Sequence, residues 1–583
     1  MKRTLCLLLC LVMTALTFAS CGATDDNDKG AIIPCYFSNE ITNFDPAYAL
    51  HDEAGTKILG LIYEGLVRMD EKGKVQKALA KSWKYTSNPD DNYYMLEIEL
   101  KTTCWSDGRQ VSADDFVYAW KRLLEPEYSS EAASLLYEIK NARAVKNGDM
   151  SIDDLGLYAA DTTVLQIEFE TDIDYELFIE RCASIALVPL REDTVVKLVD
   201  WASNSATMCT NGPYNIKSYK AGDSLELERS VYYYRDIDND ALTKYVLPYR
   251  FMVDFSMDAE AQLAAYEAGT IFYDSDLPLA SRAAYADKVE LADTLSTHTY
   301  VFNTAKAPFD KAEVRRALSL ALDRDAIVNI VTYATAAGGF IPTAAFDTKS
   351  GTSFRDAGGS LIASSADVSA AKSLLSTAGV SSGSFTLTIR ANQVDRAVAE
   401  YCVGVWEQLG FKVDIKELGS EYYLENDYDQ WADLFENAYR AGDFDVIAID
   451  QYSSTDAFSV LSSYAVPFSG SAMDLAGRDY SQVPHVGGFS DSAYDAKLEE
   501  AYAEKDRAAR ATILHDAEKL LVESMPAIPL FEYKDAYVAS KELSGIKNTY
   551  EGYKDFRKTK LKDYQKYLES ETEAAVTEET TAG

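Results

Sequence analysis

The sequence is poor in histidine and in positive charge. Only four His occur, which leaves few ligands for a histidine-built metal site and few general bases for catalysis. Lys and Arg together number 56 against 93 Asp and Glu, so the formal net charge is −37. A surface of that sign repels nucleic acid and anionic lipid head groups. We therefore expect no metal, no cofactor and no nucleic-acid partner.

Cysteine is scattered rather than patterned. Three cysteines stand near the start of the chain and five are spread over the rest: Cys6, Cys10, Cys21, Cys35, Cys104, Cys182, Cys209 and Cys402. No pair among the last five has zinc-ligand spacing, and their number is odd. Free buried thiols are therefore favoured, with a Cys182–Cys209 disulfide as the alternative outside the cell.

Long hydrophobic runs are missing except at the start of the chain. There, Lys2 and Arg3 precede the apolar run 5–16, which is too short to span a bilayer. The following Phe18-Ala19-Ser20-Cys21 resembles a bacterial lipobox, in which Cys21 is lipidated; an ordinary secretory signal is the alternative. We predict a lipoprotein signal peptide over 1–20 and a flexible tether over 21–31. Loss of the signal removes two positive charges, so the mature net charge becomes about −39.

The last residues form a second biased segment. Residues 569–583 contain five Glu, no basic residue and otherwise only small residues, Thr and Val. Such a composition cannot bury enough apolar surface to fold, so an acidic disordered tail is predicted there.

Hydrophobic periodicity predicts a mixed α/β chain. Alternating apolar residues indicate strands over 94–100 and 164–169 and a hairpin over 212–229. From about Asp367 onward, helices alternate with strands, and one of these strands is the apolar run 444–449.

Capping residues predict where several helices begin and end. Asp310 and Asp323 are predicted N-caps, and Gly379 is a predicted stop signal. A single helix is predicted over 493–523, and Arg315 is expected to be a salt-bridged helix residue.

Several short motifs occur in an order that resembles one family. The motifs are Tyr63-Glu64-Gly65-Leu66-Val67-Arg68, Leu79-Ala80-Lys81-Ser82-Trp83, Trp105-Ser106-Asp107-Gly108, Asp114-Asp115-Phe116-Val117-Tyr118-Ala119-Trp120, Asn211-Gly212-Pro213-Tyr214 and Ala307-Pro308-Phe309-Asp310. Over residues 32 to 546 the chain is similar to the extracellular solute-binding proteins of ABC transporters, family 5, of the oligopeptide- or dipeptide-binding type. Each motif alone is weak, whereas the fixed order of the set is specific.

The resemblance implies a periplasmic-binding-protein-like fold of type II, the Venus-flytrap fold. Two α/β lobes would close on the ligand, and one lobe would carry an additional inserted domain. The first lobe is expected over 32–47, 188–298 and 526–568, the inserted domain over 48–187, and the second lobe over 299–525. Closing would be a rigid-body motion about the two chain crossings between the lobes.

The resemblance also implies a function. The chain would be the lipid-anchored, extracytoplasmic substrate-binding subunit of an ABC importer and not an enzyme. It would capture peptides as a monomer and deliver them to a permease powered by two cytoplasmic ATPase subunits. Its only attachment to the bacterial membrane would be the lipid anchor.

The expected ligand site lies at the end of the apolar strand. Members of the family usually follow this strand with Asp-Tyr, whose carboxylate holds the α-ammonium of a peptide, but this chain has Gln451-Tyr452. Gln cannot neutralise a cation, and a buried ammonium without its counter-ion costs roughly 2–5 kcal/mol. Either Asp450 or Asp52, beside His51, supplies the charge, or the ligand has no free N-terminus.

The remaining expected contacts and the rival functions follow from the same resemblance. Asn303 and Phe531 complete the expected ligand-binding residues. The alternatives are transport of a non-peptide solute (an oligosaccharide, a nickel chelate or haem), a secreted hydrolase, or a receptor or adhesin.

Overall fold

The computed structural model describes most of the chain between residues 29 and 567. The described ranges are 29–37, 40–41, 43–51, 53–128, 130–198, 200–235, 240–425, 428–468, 486–550 and 552–567. The predicted signal peptide with Cys21, most of the predicted tether, Asp52 and the predicted acidic tail lie outside these ranges.

The described residues form a mixed α/β structure, as the periodicity predicts. In chain order the strands are β1 (Ile32–Pro34), β2 (Val67–Met69), β3 (Val75–Lys77), β4 (Ala80–Asn88), β5 (Tyr93–Leu100), β6 (Leu157–Asp161), β7 (Val164–Glu168), β8 (Tyr214–Lys220), β9 (Ser224–Arg229), β10 (Arg250–Asp254), β11 (Tyr273–Asp274), β12 (Glu290–Phe302), β13 (Ala334–Ala336), β14 (Gly383–Arg390), β15 (Phe411–Leu418), β16 (Ser420–Glu425), β17 (Tyr428–Asp433), β18 (Val446–Tyr452), β19 (Ala527–Ala539), β20 (Leu543–Ser544), β21 (Lys547–Asn548), β22 (Lys554–Asp555) and β23 (Lys560–Leu561).

Helices of very different length separate the strands. In chain order they are α1 (Glu53–Ile62), α2 (Ala113–Leu124), α3 (Ala142–Lys146), α4 (Tyr175–Arg181), α5 (Glu192–Val195), α6 (Ala259–Ala268), α7 (Arg282–Tyr285), α8 (Ala312–Leu320), α9 (Arg324–Val331), α10 (Phe354–Gly358), α11 (Val368–Ala378), α12 (Gln393–Glu407), α13 (Leu434–Arg440), α14 (Phe458–Ser462), α15 (Ser492–Ala503) and α16 (Arg507–Ser524).

Three larger sheets organise the chain. One has the order β1-β10-β9-β8, and its parallel β1–β10 pair joins the start of the described chain to a strand more than 200 residues later. The segment between β1 and β8 contains a second sheet of its own, β4-β5-β7-β6. The third and largest sheet has the order β11-β19-β12-β18-β14-β15, with β13 beside β19.

The largest sheet separates two hydrophobic cores. Because neighbouring residues of a strand face opposite sides, Tyr300 and Ala448 enter a core with α8, α9, α11 and α12. Val301 and Ile447 enter the larger core on the other face, which extends to the first two sheets. The central strand β18 is therefore buried on both faces, which accounts for its continuous apolar sequence.

The long strands β12 and β19 connect the two halves of the molecule. Near Val301 they pair within the largest sheet, whereas at the other end Tyr537 and Val538 of β19 lie beside Glu290 of β12 and Asp274 of β11. Asp274 in turn forms a bridge with Tyr36, which follows β1. The ladder is irregular between these ends, since its register shifts after the pair Asp293–Lys534.

Two predictions about helix ends are wrong and two are confirmed. The first residue of α8 is Ala312 with Lys311 at the N-cap, so Asp310 is not the cap. Asp323 does cap α9 by accepting a hydrogen bond from the Ala326 N–H, and Gly379 ends α11 in the left-handed conformation.

The single helix predicted over 493–523 is two helices. The chain leaves the helical conformation after Ala503, and Asp506 then caps α16 by accepting from the Ala509 N–H. The expected salt bridge of Arg315 is also corrected. Its guanidinium donates to the carbonyl oxygens of Phe309 (2.6 Å), Ser524 (3.1 Å) and Met525 (3.0 Å), which are left over at the end of α16.

The five cysteines within the described ranges are free thiols. This outcome agrees with the favoured interpretation, and it excludes the Cys182–Cys209 disulfide from this structure.

Candidate ligand-binding site

A cavity of about 690 Å³, partly open to solvent, lies where the largest sheet meets α1 and α4. The largest sheet contributes Thr294 and Leu295 of β12 and the segment from Tyr452 to Thr455. The opposite wall is the end of α4 and the turn after it, from Glu180 to Ile185. Its volume is within the usual range for small-molecule sites.

A bulge in β12 forms part of the wall. The pairing with β19 passes from Asp293–Lys534 directly to Thr297–Glu532, so three residues of β12 stand opposite one residue of β19. A bulge of this kind bends the strand and re-aims its side chains. The Ser453 N–H donates to the Leu295 carbonyl oxygen at 2.7 Å, which joins the bulge to the loop after β18.

Buried polar groups line the cavity. Glu180 is 8% exposed, Arg181 3% and Thr455 4%. Within the part of the chain that the structure describes, Glu180 Oε2, Arg181 Nε and Thr455 Oγ1 have no hydrogen-bond partner. Unsatisfied buried groups are costly, so these three atoms favour a polar occupant over an apolar one.

The charges at the end of α4 pair with residues distant in sequence. Arg507 donates from Nη1 to Glu180 Oε1 at 3.0 Å and also binds Asp174, the N-cap of α4. Arg181 donates to Glu138. Burial raises the pKa of Glu180, while the nearby Arg507 opposes that increase.

A third ion pair completes the set that we name the α4 charge cluster. Arg510 holds both carboxylate oxygens of Asp456, at 2.8 and 2.9 Å. Burial alone would raise the pKa of Asp456, but Arg510 lowers it below its ordinary value. The cluster consists of Glu138, Asp174, Glu180, Asp456, Arg181, Arg507 and Arg510. It has four carboxylates and three guanidinium groups, so one negative charge is in excess.

Comparison with known proteins identifies the family. Residues 74–471 match the model of the bacterial extracellular solute-binding proteins, family 5 (middle region). The chain belongs to that family. This solute-binding protein is 27% identical over 528 residues to the dipeptide-binding protein DppE of Bacillus subtilis, covering 89% of this chain and 90% of the relative. It is 26% identical to the oligopeptide-binding protein OppA of the same organism, covering 93% and 96%.

A solved structure confirms the expected fold. The substrate-binding domain of an oligopeptide ABC transporter from Bacillus anthracis superposes with a TM-score of 0.75 at 22% sequence identity. The alignment covers 92% of this chain and all of that domain. The two-lobed type II fold expected from the motifs is thereby confirmed.

The structure brings one of the expected ligand contacts to the cavity. Tyr452 lines it, directly after Gln451 in the same strand. Gln451 itself is 3% exposed and points away into the larger core, where it accepts a hydrogen bond from Tyr464 (2.9 Å) and donates to Ser463 (3.1 Å). Its amide is therefore already engaged inside the second lobe.

Asp450 lies on the other face of β18, as strand alternation predicts. It is bound to His298 Nδ1 at 2.7 Å, and buried Asp395 of α12 is close enough to influence both groups. Burial lowers the pKa of His298, but the charge of Asp450 outweighs this effect and raises it. Asp450 is thus engaged in a buried network and is not among the described residues that line the cavity.

The other expected contacts lie elsewhere or outside the described residues. The Asn303 amide donates to the carbonyl oxygens of Gly442 and Phe444 near the far end of β18. Phe531 is fully buried and stacks on His298 with ring centroids 4.7 Å apart. His51 ends a 3₁₀ turn, Pro46–His51, but its side chain is outside the described part, as is Asp52. A contact of any of these residues with ligand remains a prediction.

Sequence reasoning missed the wall formed by α4. The signal was present, because Glu180 and Arg181 interrupt an otherwise apolar stretch from Phe178 to Ile185. Adjacent charges inside a buried stretch are unusual unless they are paired. Their partner Arg507 is 327 residues away from Glu180, and no local pattern reveals such a pairing.

Proposed function

We propose that this protein is the substrate-binding subunit of an ABC importer and captures peptides between its two lobes. The observation that supports this most directly is the composite cavity, whose walls come from the second lobe, the first lobe and the segment 48–187 together. A ligand in such a cavity contacts both lobes only when they are closed, so it favours the closed form. The curated relatives described above are named for dipeptide and oligopeptide binding.

Direct contacts hold the segment 48–187 to the second lobe. Arg143 of α3 donates to both carboxylate oxygens of Glu499 of α15, at 2.6 and 3.1 Å. Tyr502 donates from its hydroxyl to the Tyr137 carbonyl oxygen at 2.7 Å, and Lys505 pairs with Asp172 at 3.0 Å. These contacts belong to a closed arrangement, in agreement with lobe boundaries at residues 48, 188, 299 and 526.

Capture without chemical conversion fits the residues of the chain. One segment, Gly379-Val380-Ser381-Ser382-Gly383, matches the spacing of a hydrolase nucleophile elbow. It connects helix α11 to strand β14, whereas an elbow leads from a strand into a helix. Among the described residues, no group of three His, Cys, Asp or Glu side chains is placed to hold a metal ion.

The proposed location is the outer face of the cytoplasmic membrane of a bacterium. The family is extracellular, and within the described residues no helix has the length and apolar composition needed to cross a bilayer. The lipobox-like Phe18-Ala19-Ser20-Cys21 supports attachment through a lipid on Cys21. Replacing Cys21 by Ala should move the protein from the membrane fraction to the soluble fraction, as seen by immunoblotting. A membrane-bound C21A variant would exclude this anchor.

Mass spectrometry of the ligand carried through purification tests the proposed function. The protein, isolated from its own host without a denaturing step, should release peptides when it is unfolded. A protein treated to exchange its ligand and then reloaded should also become more compact in small-angle X-ray scattering. Consistent recovery of a sugar, a metal chelate or haem instead would contradict the peptide assignment.

A further inference from the structure

The candidate counter-ions near the cavity differ in how much of their charge is already used. Asp450 is bound to His298 at 2.7 Å on the far face of β18. Gln451 has no charge, and its amide is engaged by Ser463 and Tyr464. Among the described residues that line the cavity, Glu180 is the one carboxylate.

Glu180 is both buried and incompletely satisfied. Its side chain is 10% exposed, and only Oε1 receives a hydrogen bond, from Arg507. Oε2 is buried without a hydrogen-bond donor in the described structure. A carboxylate oxygen in that position calls for a donor, and a charged donor gives the strongest bond.

The surrounding charges leave room for a cation. Arg507 is shared between Glu180 and Asp174, so one positive charge serves two carboxylates. The other cationic side chain that lines the cavity, Arg181, is neutralised by Glu138. Since the α4 charge cluster has one negative charge in excess, a positively charged ligand group balances it. Thr455 Oγ1 offers that group a second acceptor in the same cavity.

We propose that Glu180 is the counter-ion for a primary ammonium group of the bound solute. The inference rests on the proposed role in peptide capture, and the N-terminal amine of a peptide is the ammonium that it assigns to Glu180. The charge is therefore supplied by the segment 48–187 and not by the strand of the second lobe. Closing of the lobes brings this carboxylate against a peptide held along the end of β18.

Matched peptide mixtures test the proposal. Three mixtures are compared by isothermal titration calorimetry: short alanine peptides, the same peptides with an acetylated N-terminus, and acetylated peptides that end in Lys. The wild-type protein should bind the free peptides roughly 30-fold or more tightly than the acetylated ones. Affinity regained with the Lys-containing mixture would assign Glu180 to a side-chain ammonium, which supports the same recognition chemistry.

The variant E180Q should lose this discrimination. It keeps the size of the side chain but removes the charge, so its affinities for free and acetylated peptides should differ by less than about 3-fold. The control is E499Q, which changes a carboxylate at the contact between the segment 48–187 and the second lobe but not in the cavity wall. It should weaken binding of both mixtures equally and leave their ratio unchanged.

Three results would overturn the proposal in distinguishable ways. If E180Q binds free peptides with the wild-type preference, the proposal is wrong while the peptide role stands. If wild-type protein binds none of the three mixtures, the peptide role itself fails. Should E180Q not fold, a crystal structure of the wild-type complex decides. The ammonium nitrogen should lie about 3 Å from a Glu180 oxygen, and any other position rules the proposal out.

Discussion

Buried carboxylates in this protein differ in whether a cation accompanies them. Asp456 is held by Arg510, and its pKa is lowered in spite of burial. Asp274, at the junction of β11 with β19, is fully buried and has one oxygen without a hydrogen-bond partner among the described residues. Burial, aided by the charge of Asp276, raises its pKa to about 6. The folded protein therefore carries this charge at a cost.

The variant D274N should be more stable than wild type at neutral and alkaline pH. The pKa of Asp274 is higher in the folded state than in the unfolded state, so its ionisation destabilises the fold as pH rises through about 6. A shift of this size corresponds to at most about 3 kcal/mol in the free energy of unfolding. Urea unfolding at pH 8 should show a gain for D274N that disappears near pH 4. A constant difference at both pH values would contradict the pKa assignment.

Strand alternation carried the residue-level prediction only part of the way. It correctly placed Asp450 and Gln451 on opposite faces of β18, because the side-chain period of a strand is two residues. It did not show which face meets the cavity. That depends on the bulge of β12 and on α4, which are far from β18 in sequence.

At the scale of elements, local patterns located strands better than helix ends. The half-buried β5 and β7 and the hairpin β8–β9 were predicted from alternation, since one face of each is buried. The break between α15 and α16 was missed because polar residues there do not interrupt the helical pattern. The length of β19 was also missed. Its polar continuation is stabilised by a distant ion pair, Asp535 with Lys554.

The end of α16 depends on one arginine of another helix. Arg315 satisfies carbonyl oxygens of Ser524 and Met525, and burial lowers its pKa to about 10. The variant R315M should lose about 2–4 kcal/mol in the free energy of unfolding, because buried carbonyl groups lose a charged donor. The half-buried neighbour Arg316 provides the control, and R316M should change stability by less than about 0.5 kcal/mol. Equal effects of the two substitutions in chemical denaturation would argue against this capping role.

At the scale of the whole molecule, closure should respond to the contacts between the segment 48–187 and the second lobe. Arg143 binds Glu499 and lies over the ring of Phe468, 4.3 Å from its centroid. Both members of the ion pair are partly exposed, so its contribution is about 0.5–1 kcal/mol. The variant R143M should therefore weaken ligand binding about 2- to 5-fold and expand the ligand-free protein in X-ray scattering.

A matched pair within one sheet serves as the control for closure. Lys81 and Glu99 form an exposed ion pair between β4 and β5, which stays intact whether or not the lobes move. The variant K81M should bind ligand as wild type does. If R143M and K81M behave alike, the contact of Arg143 with α15 has no part in closure.

The irregular ladder between β12 and β19 decides what it takes to unload the protein. Both strands run unbroken through the junction, and the three residues that face a single partner already give the backbone a kink there. Swinging the halves apart can therefore leave the paired stretches on either side as they are. The resistance comes from a few wet charge pairs and a patch of rings at the rim. A partner that pries at that rim needs little force, and the emptied molecule springs back ready for its next cargo.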